Sequence, residues 1–228
     1  MDRTFCIWIR AVVALVKKDL IDEYRTRYAV TSMALFALTA LVIVSFSTGM
    51  FILDAGLHAA FLWIIIFFSA MSSLARSFIK EEEQGTAKAL KMSAPAEIIY
   101  FGKLIYNLFI LIVLITVIYP LYVFFMNPPS GGNNFVILLF LVLGASCLAG
   151  ATTLLAAMVS RAGSKNTLLP ILAFPVLLPV LLTSIRGTAV ALNGRPFSAV
   201  SSDLIFLLSF LVIIVTASLM LFPFVWED

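Results

Sequence analysis

Five long stretches without a charged residue constrain this chain more than any other feature. No Asp, Glu, Lys or Arg occurs in residues 28–53, 55–75, 104–160, 166–185 and 204–226. A helix needs about 20 apolar residues to cross a hydrocarbon core about 30 Å thick. Four of the stretches fit one crossing each, and the 57 residues of the third fit two. The chain is therefore predicted to cross a membrane six times.

A proline- and glycine-rich break, Asn127–Asn134, divides the third stretch into two spans. The composition agrees with a lipid environment, because only 12% of the residues are charged against about 25% in soluble domains. We predict an all-α integral membrane protein with one domain over residues 1–228, and no room for a separate soluble catalytic domain. The predicted spans are 28–51, 57–78, 98–126, 135–159, 167–190 and 204–225.

Lys and Arg residues predict the orientation of this six-span bundle, since they are enriched on the cytoplasmic side of membrane proteins. With the N-terminus inside, 13 of the 15 fall in inside segments, which places both termini in the cytoplasm. The net charge of +3 suits an anionic inner leaflet and does not indicate a nucleic-acid partner. The inside residues are Arg3, Arg10, Lys17, Lys18, Arg25, Arg27, Arg76, Lys80, Lys88, Lys91, Lys103, Arg161 and Lys165.

The N-terminal segment, residues 1–24, is too short and too charged to span a membrane. Arg3, Arg10 and Lys17 recur every seven residues and share one helical face. We predict an amphipathic helix that lies in the inner membrane interface. Its apolar face would contain Phe5, Trp8, Ile9, Val12, Val13 and Val16.

The loop over residues 79–97 is predicted to be a bent, charged and partly helical surface against the membrane. Its three acids, Glu81, Glu82 and Glu83, cannot enter lipid, and Gly85 allows a sharp turn. Thr86 is a candidate N-cap for a short helix that ends before Pro95. A docking surface for a partner with its own energy source is one interpretation, and a merely solvated face is the other.

Prolines and a few isolated polar residues stand out in the predicted spans. Pro170, Pro175 and Pro179 predict a kinked or interrupted fifth helix that faces neighbouring helices and meets lipid only in part. Cys6 and Cys147 fall at different depths, so we expect no disulfide between them.

Two outer-side residues are candidates for contact with a ligand. His58 lies four residues from Asp54 and is either a haem or metal ligand or an interfacial residue hydrogen-bonded to Asp54. Arg186 is either the partner of an anionic ligand group or a cation that reaches the outer surface. No nucleotide-binding motif, zinc spacing or nucleophile–base pair is present, so we expect no catalytic residue and no metal site.

Three groups of residues together carry a resemblance to known membrane proteins. The loop contributes Arg76-Ser-Phe, Glu81-Glu82, Gly85-Thr86, Pro95 and Gly102-Lys103, which are shared in part with ABC-2-type permeases in general. The entry to the first span, Arg25-Thr-Arg27, and the proline series of the fifth span narrow the resemblance to one branch, the haem exporter protein B family.

This resemblance implies a permease of ABC-2-type architecture in a bacterial inner membrane, acting in cytochrome c maturation. It implies pairing with a second copy of the chain, with a separate ATPase that binds ATP and docks on Glu81–Pro95 and on the N-terminal helix, and with a haem-handling membrane protein. Haem would be handled rather than held as a tightly bound cofactor. Export of haem itself and release of a haem-loaded chaperone both remain open.

Four other functions remain as alternatives. An ABC-2-type permease for a lipid, glycan or drug would share the fold and differ in cargo. An ion-coupled transporter is disfavoured because no acid or lysine lies in the middle of a predicted span. A membrane scaffold without transport and an enzyme complete the set, and the enzyme has the least support because it lacks a catalytic motif.

Overall fold

The computed structural model describes residues 2–49, 51–74, 76–83, 85–129, 131–161 and 168–227. Nearly all of them are helical, and no strand occurs in these ranges. A short 3₁₀ helix, Phe197–Ala199, precedes the last α-helix. The α-helices are α1 Asp2–Thr26, α2 Tyr28–Thr48, α3 Ala55–Leu74, α4 Arg76–Glu83, α5 Ala87–Ser93, α6 Ala96–Met126, α7 Asn134–Arg161, α8 Leu168–Leu192 and α9 Ser201–Glu227.

Six helices of the described chain, namely α2, α3, α6, α7, α8 and α9, are long and apolar enough to cross a membrane. This confirms the predicted all-α membrane class and the number of spans. Each predicted span overlaps one of these helices, and most of their ends differ by only a few residues. The 31 residues of α6 measure about 46 Å at 1.5 Å per residue. That length exceeds the hydrocarbon core by about 16 Å, so α6 has room to extend beyond the core.

Helix α7 lies at the centre of the bundle and packs against α6, α8 and α9. Small residues on it allow close approach. A Cβ built at Gly144 would lie 2.1 Å from the ring of Trp63 on α3, and real Cβ atoms do not come that close. Trp63 also donates a hydrogen bond to Thr188 on α8, at 3.0 Å. The spans are thus held together by tight apolar packing, to which buried polar links such as the one between α3 and α8 are added.

The two ends of the bundle differ in chemical character. One end, called the charged end below, contains α1, α4, α5 and the last turn of α9, where Lys91 Nζ lies 5.6 Å from the ring centroid of Trp226. The other, called the far end, contains the α2–α3, α6–α7 and α8–α9 connections. Hence α1 and the last turn of α9 lie at the same end of the bundle.

Helix α1 meets α2 at a sharp corner. Arg27 adopts the left-handed conformation, with φ 51°, which a non-glycine residue rarely adopts. The carboxylate of Glu23 on α1 accepts a hydrogen bond from the backbone N–H of Val30, at 2.9 Å. This bond satisfies one of the otherwise unpaired N–H groups at the start of α2, so the side chain of Glu23 fastens the corner.

The buried face of α1 differs from the predicted apolar face. Val12 and Leu15 are buried, whereas Ile9 and Val13 are exposed. Two acids, Asp19 and Glu23, continue the buried stripe. The physical reason is that α1 packs against α6. Charged groups of the bundle lie at this end, so the side of α1 that packs against the bundle is partly polar.

Helix α8 and the cysteines test two further predictions. Helix α8 is continuous across Pro175 and Pro179, so of the two predicted forms, a kinked helix or an interrupted one, the interruption does not occur there, while the side chain of Pro170 lies outside the described residues. Both described prolines are exposed, which places the backbone groups they leave unpaired away from the packed face of the helix. Cys6 is exposed, Cys147 is buried, and both are free.

Candidate functional site

The predicted loop has the expected local structure. Helix α4 ends at Glu83, and Gly85 turns the chain with φ +69°, a conformation open to glycine at no steric cost. The seven-residue helix α5 follows, and extended backbone at Ala94 and Pro95 separates it from α6. The sharp turn, the short helix and the proline break are therefore confirmed as structural elements.

Glu81 lies at the centre of a buried ion network that joins three helices. It is 5% exposed, and one of its carboxylate oxygens pairs with Lys103 on α6, at 3.0 Å, and with Lys18 on α1. Lys103 also pairs with Asp19 on α1, at 3.0 Å. Together, Lys18, Asp19, Glu81 and Lys103 form the ion network. Charges removed from water persist only when they are paired, and here each carboxylate faces two ammonium groups.

Gly102 explains how α1 comes close enough to complete this network. A Cβ at Gly102 would lie 2.3 Å from Leu15 Cδ2, so any larger residue would force Leu15 to shift from the observed contact between α6 and α1. One residue further on, Lys103 is 3% exposed and its Nζ lies 5.9 Å from the ring centroid of Phe78. The Gly102-Lys103 pair therefore sets a close helix contact and supplies the cation that pairs across it.

Lys18 is the half-exposed member of the ion network. Partial burial disfavours its charged form, but the hydrogen bond to Glu81 and the charge of Asp19 outweigh that effect and raise the pKa of Lys18 above 10.5. A raised lysine pKa keeps the ammonium charged at neutral pH. The attraction within the network is thus present under ordinary conditions.

An aromatic cluster supports the network from the side of α9. Phe78, Tyr100, Phe222 and Trp226 are all buried and come from α4, α6 and α9. Phe222 and Trp226 stack with ring centroids 5.8 Å apart, and Phe78 meets Trp226 edge-on at 5.3 Å. Helix α9 thereby fixes the position of α4.

Helix α5 has one anchored face and one open face. Ala87 and Leu90 are buried, whereas Lys88 is exposed and Met92 is 90% exposed. Pro95, next to the helix, is also exposed. A flexible apolar side chain beside a cation suits contact with a protein partner.

The predicted site residues divide into three groups by environment. Glu81, Gly102 and Lys103 are buried and face other helices, which excludes them from the solvent surface on which a partner would dock. Glu82 is half-buried, and Gly85, Thr86 and Pro95 are exposed. The side chains of Arg76 and Glu83 lie outside the described residues.

The hydroxyl of Thr86 corrects one local prediction. Thr86 stands at the N-terminus of α5, but its side chain makes no capping bond there. It donates instead to the second carboxylate oxygen of Glu81, at 2.5 Å. The buried carboxylate, which needs hydrogen bonds, takes the donor that the helix end would otherwise use.

The two outer-side candidates both make contacts within the protein. His58 is 4% exposed, and its Nδ1 lies 3.1 Å from the hydroxyl of Tyr122. The predicted side-chain bond to Asp54 is wrong, because Asp54 caps α3 by accepting from the N–H of Leu57. Among the described residues, no group of three or more His, Cys, Asp or Glu is arranged to hold a metal ion.

Arg186 on α8 is 74% exposed at its side chain and lies 3.8 Å from the carboxylate of Asp203 on α9. This pair links the two helices at the far end of the bundle. An exposed ion pair of this length contributes little to stability, so most of the guanidinium remains open to other contacts.

Sequence reasoning did not assign Lys18 and Asp19 to the site. The available signal was the acidic spacing of Asp19 and Glu23, four residues apart on one face of a helix that also carries several basic residues. Phe222 and Trp226 had no such signal, because the last span is uniformly apolar. Their role depends on packing, which composition does not reveal.

The model of the CcmB protein family matches residues 10–227, which is nearly the whole chain of 228 residues. No curated protein matches the chain.

Proposed function

Because the chain belongs to the CcmB protein family, it is a membrane permease subunit of the haem exporter type, and we propose that a separate ATPase drives it during maturation of c-type cytochromes. In this proposal the ATP binds to the partner and the chain itself is non-catalytic. The complex contains two copies of this chain and a haem-handling membrane protein. The charged end faces the cytoplasm of a bacterial inner membrane.

The observation that carries the proposal is the two-sided character of α5. Its inner face is fixed to the bundle by Ala87 and Leu90, while Lys88 and Met92 project outward. A partner that grips the outward face can move the helix without first disrupting the packed face. This is the mechanical requirement for an element that receives force from another subunit.

The ion network gives that force a path into the membrane. Glu81 binds Thr86 next to α5, Lys18 on α1 and Lys103 on α6. A displacement of α5 is therefore transmitted to an interfacial helix and to a membrane-spanning helix together. Buried, paired charges resist separation, so these elements are expected to move as one unit.

Docking is tested by changing two exposed side chains of α5. We expect Met92→Ala combined with Lys88→Glu to reduce co-purification of the ATPase subunit by about tenfold or more, because contact area and charge complementarity are both lost. Met220→Ala is the matched control, since Met220 is 69% exposed but lies on membrane-spanning α9. If the double variant retained the ATPase as well as the control did, α5 would not be the docking element.

Transmission is tested separately with Gly85→Pro and Glu82→Lys. Proline requires φ near −65°, whereas Gly85 has φ +69°, so the hinge between α4 and α5 must deform. The Glu82→Lys change reverses a half-buried charge beside it. We expect the ATPase to remain bound and cytochrome c assembly to be lost. Normal assembly in both variants would contradict the proposed transmission.

A further inference from the structure

A cleft at the charged end lies beside the ion network and shares Asp19, Glu81 and Lys103 with it. Its volume is about 340 Å³, within the range of about 300–1,000 Å³ typical of small-molecule sites. It lies where α1 turns into α2, beside the last turn of α3 and the N-terminal half of α6. Its lining includes the first residues of α2, Tyr28 and Ala29, so it opens at the level where a membrane-spanning helix begins.

Two buried polar atoms in the lining have no partner. Ser73 is 3% exposed and Asn107 is fully buried, and neither Ser73 Oγ nor Asn107 Oδ1 makes a hydrogen bond. Both residues line the cleft. Buried polar atoms are normally satisfied, so a hydrogen-bonding occupant is expected. It would accept from a hydroxyl and donate to an amide oxygen.

The charges of the cleft specify the occupant further. Four acids and two lysines line it, namely Asp19, Asp22, Glu23, Glu81, Lys80 and Lys103. Lys18 also pairs with Asp19 and Glu81, which leaves one carboxylate in excess. That carboxylate is Glu23, which forms no ion pair within the described part of the chain and accepts only from Val30 N–H and the hydroxyl of Tyr106.

An occupant that matches these groups has an ammonium with N–H donors next to an anionic group. The ammonium would meet Glu23 and the amide oxygen of Asn107, and the anion would meet Lys80, which is one-third exposed beside Asp22. Leu74, Ile79 and Ile110 add apolar walls. Phospholipid head groups lie at the depth of the opening, and they combine an anion with apolar chains.

We propose that this cleft binds a phospholipid whose head group carries a primary ammonium, as in phosphatidylethanolamine. A quaternary ammonium has no N–H to donate to Glu23 or Asn107. A purely anionic head group would place its charge against the acids of the lining. The site therefore selects for the primary amine. Lipid binding at this site does not depend on the proposed ATPase, because it is a property of this chain alone.

The test is lipid retention by the full chain. The purified protein is placed in an equimolar mixture of phosphatidylethanolamine, phosphatidylcholine and phosphatidylglycerol, and the retained lipids are counted by native mass spectrometry. We expect phosphatidylethanolamine to be retained at least fivefold over each of the others. Equal retention of the three lipids, or a preference for either of the other two, overturns the proposal and leaves water or the transported cargo as occupant.

Two variants assign the preference to the cleft. Glu23→Gln keeps a hydrogen-bond acceptor and removes the charge, and we expect it to lower retention of phosphatidylethanolamine about tenfold. The control is Glu97→Gln, since Glu97 is an exposed acid on the first turn of α6 that does not line the cleft. If Glu23→Gln unfolds at the α1–α2 corner, the second variant, Ala29→Leu, takes its place. It fills the opening of the cleft and is expected to reduce retention of phosphatidylethanolamine as well. An unchanged preference in a folded variant overturns the proposal.

Discussion

Lys103 shows how one residue can hold three helices together in a membrane protein. Its ammonium lies between Glu81 and Asp19, which come from α4 and α1 and are both less than 10% exposed. Removal of one partner from a buried pair leaves an uncompensated charge, and that loss is larger than the net contribution of the intact pair. Lys103 is therefore expected to be more sensitive to replacement than any exposed lysine nearby.

We predict that Lys103→Met destabilises the fold by about 3–5 kcal/mol. The methionine fills a similar volume but leaves Glu81 and Asp19 with only Lys18 as their cation. A loss of that size corresponds to a fall in melting temperature of roughly 6–20 °C for a chain of this length. Thermal unfolding in detergent, followed by tryptophan fluorescence, measures it.

Lys88→Met is the matched control for this prediction, because Lys88 is exposed on α5 and changes at exposed sites usually have small effects. Adding Glu81→Gln to Lys103→Met should recover part of the loss, since it removes one unpaired charge. Equal melting temperatures for the two single variants would show that the ion network does not stabilise the fold.

Glu81 marks the limit of sequence reasoning at the residue scale. A run of three acids after an apolar helix indicates that the chain leaves the membrane, and the sharp turn at Gly85 follows from glycine chemistry. Burial of Glu81 was not predictable in the same way, because its partners Lys18 and Lys103 lie 63 and 22 residues away. Pairing over such distances in sequence depends on how closely α1 approaches α6, and Gly102 leaves room for that approach.

At the scale of elements, the spans are the most predictable part of the protein. In lipid only a helix or a closed β-barrel satisfies the backbone, and an uncharged apolar stretch of about 20 residues has the length of a helical crossing. The six predicted spans are all found. The direction in which each helix faces is less predictable. Apolar residues suit both lipid and protein contacts, so the exposure of Pro175 and Pro179 on α8 did not follow from the expectation that this span faces neighbouring helices and meets lipid only in part.

Helix α9 provides a prediction at this scale, because its last turn supports the loop that contains α4 and α5. Trp226 contacts Phe78 and lies under Lys91. We predict that Trp226→Ala increases amide hydrogen exchange in α4 and α5 at least tenfold, since loss of a buried tryptophan costs about 3–5 kcal/mol and lowers the cost of local opening.

Phe224→Ala is the control on the same helix, because Phe224 is 73% exposed and has little packing to lose. Exchange in the centre of α7 serves as an internal reference for global unfolding. If Trp226→Ala raised exchange equally in α7 and in α5, the residue would stabilise the whole bundle and would have no specific role at the loop.

At the scale of the whole molecule, the distribution of Lys and Arg predicts which end of the bundle faces the cytoplasm. The fold groups α1, α4, α5 and the end of α9 at the charged end, as an even number of spans requires. An ATPase in the cytoplasm reaches α5 only if this end is inside. Orientation is therefore the premise on which the proposed function rests.

Cysteine labelling tests this premise with two single-site variants made in a Cys6→Ser background, in which Cys147 stays buried. Ser93 is the exposed last residue of α5, and Asn193 lies exposed at the far end. We predict that a membrane-impermeable maleimide labels Ser93→Cys in inverted vesicles only, and Asn193→Cys in intact spheroplasts only, because charged reagents do not cross the hydrocarbon core. Labelling after solubilisation controls for reactivity. The opposite pattern would place α5 outside the cell, beyond the reach of ATP, and the coupling proposed for it would fail.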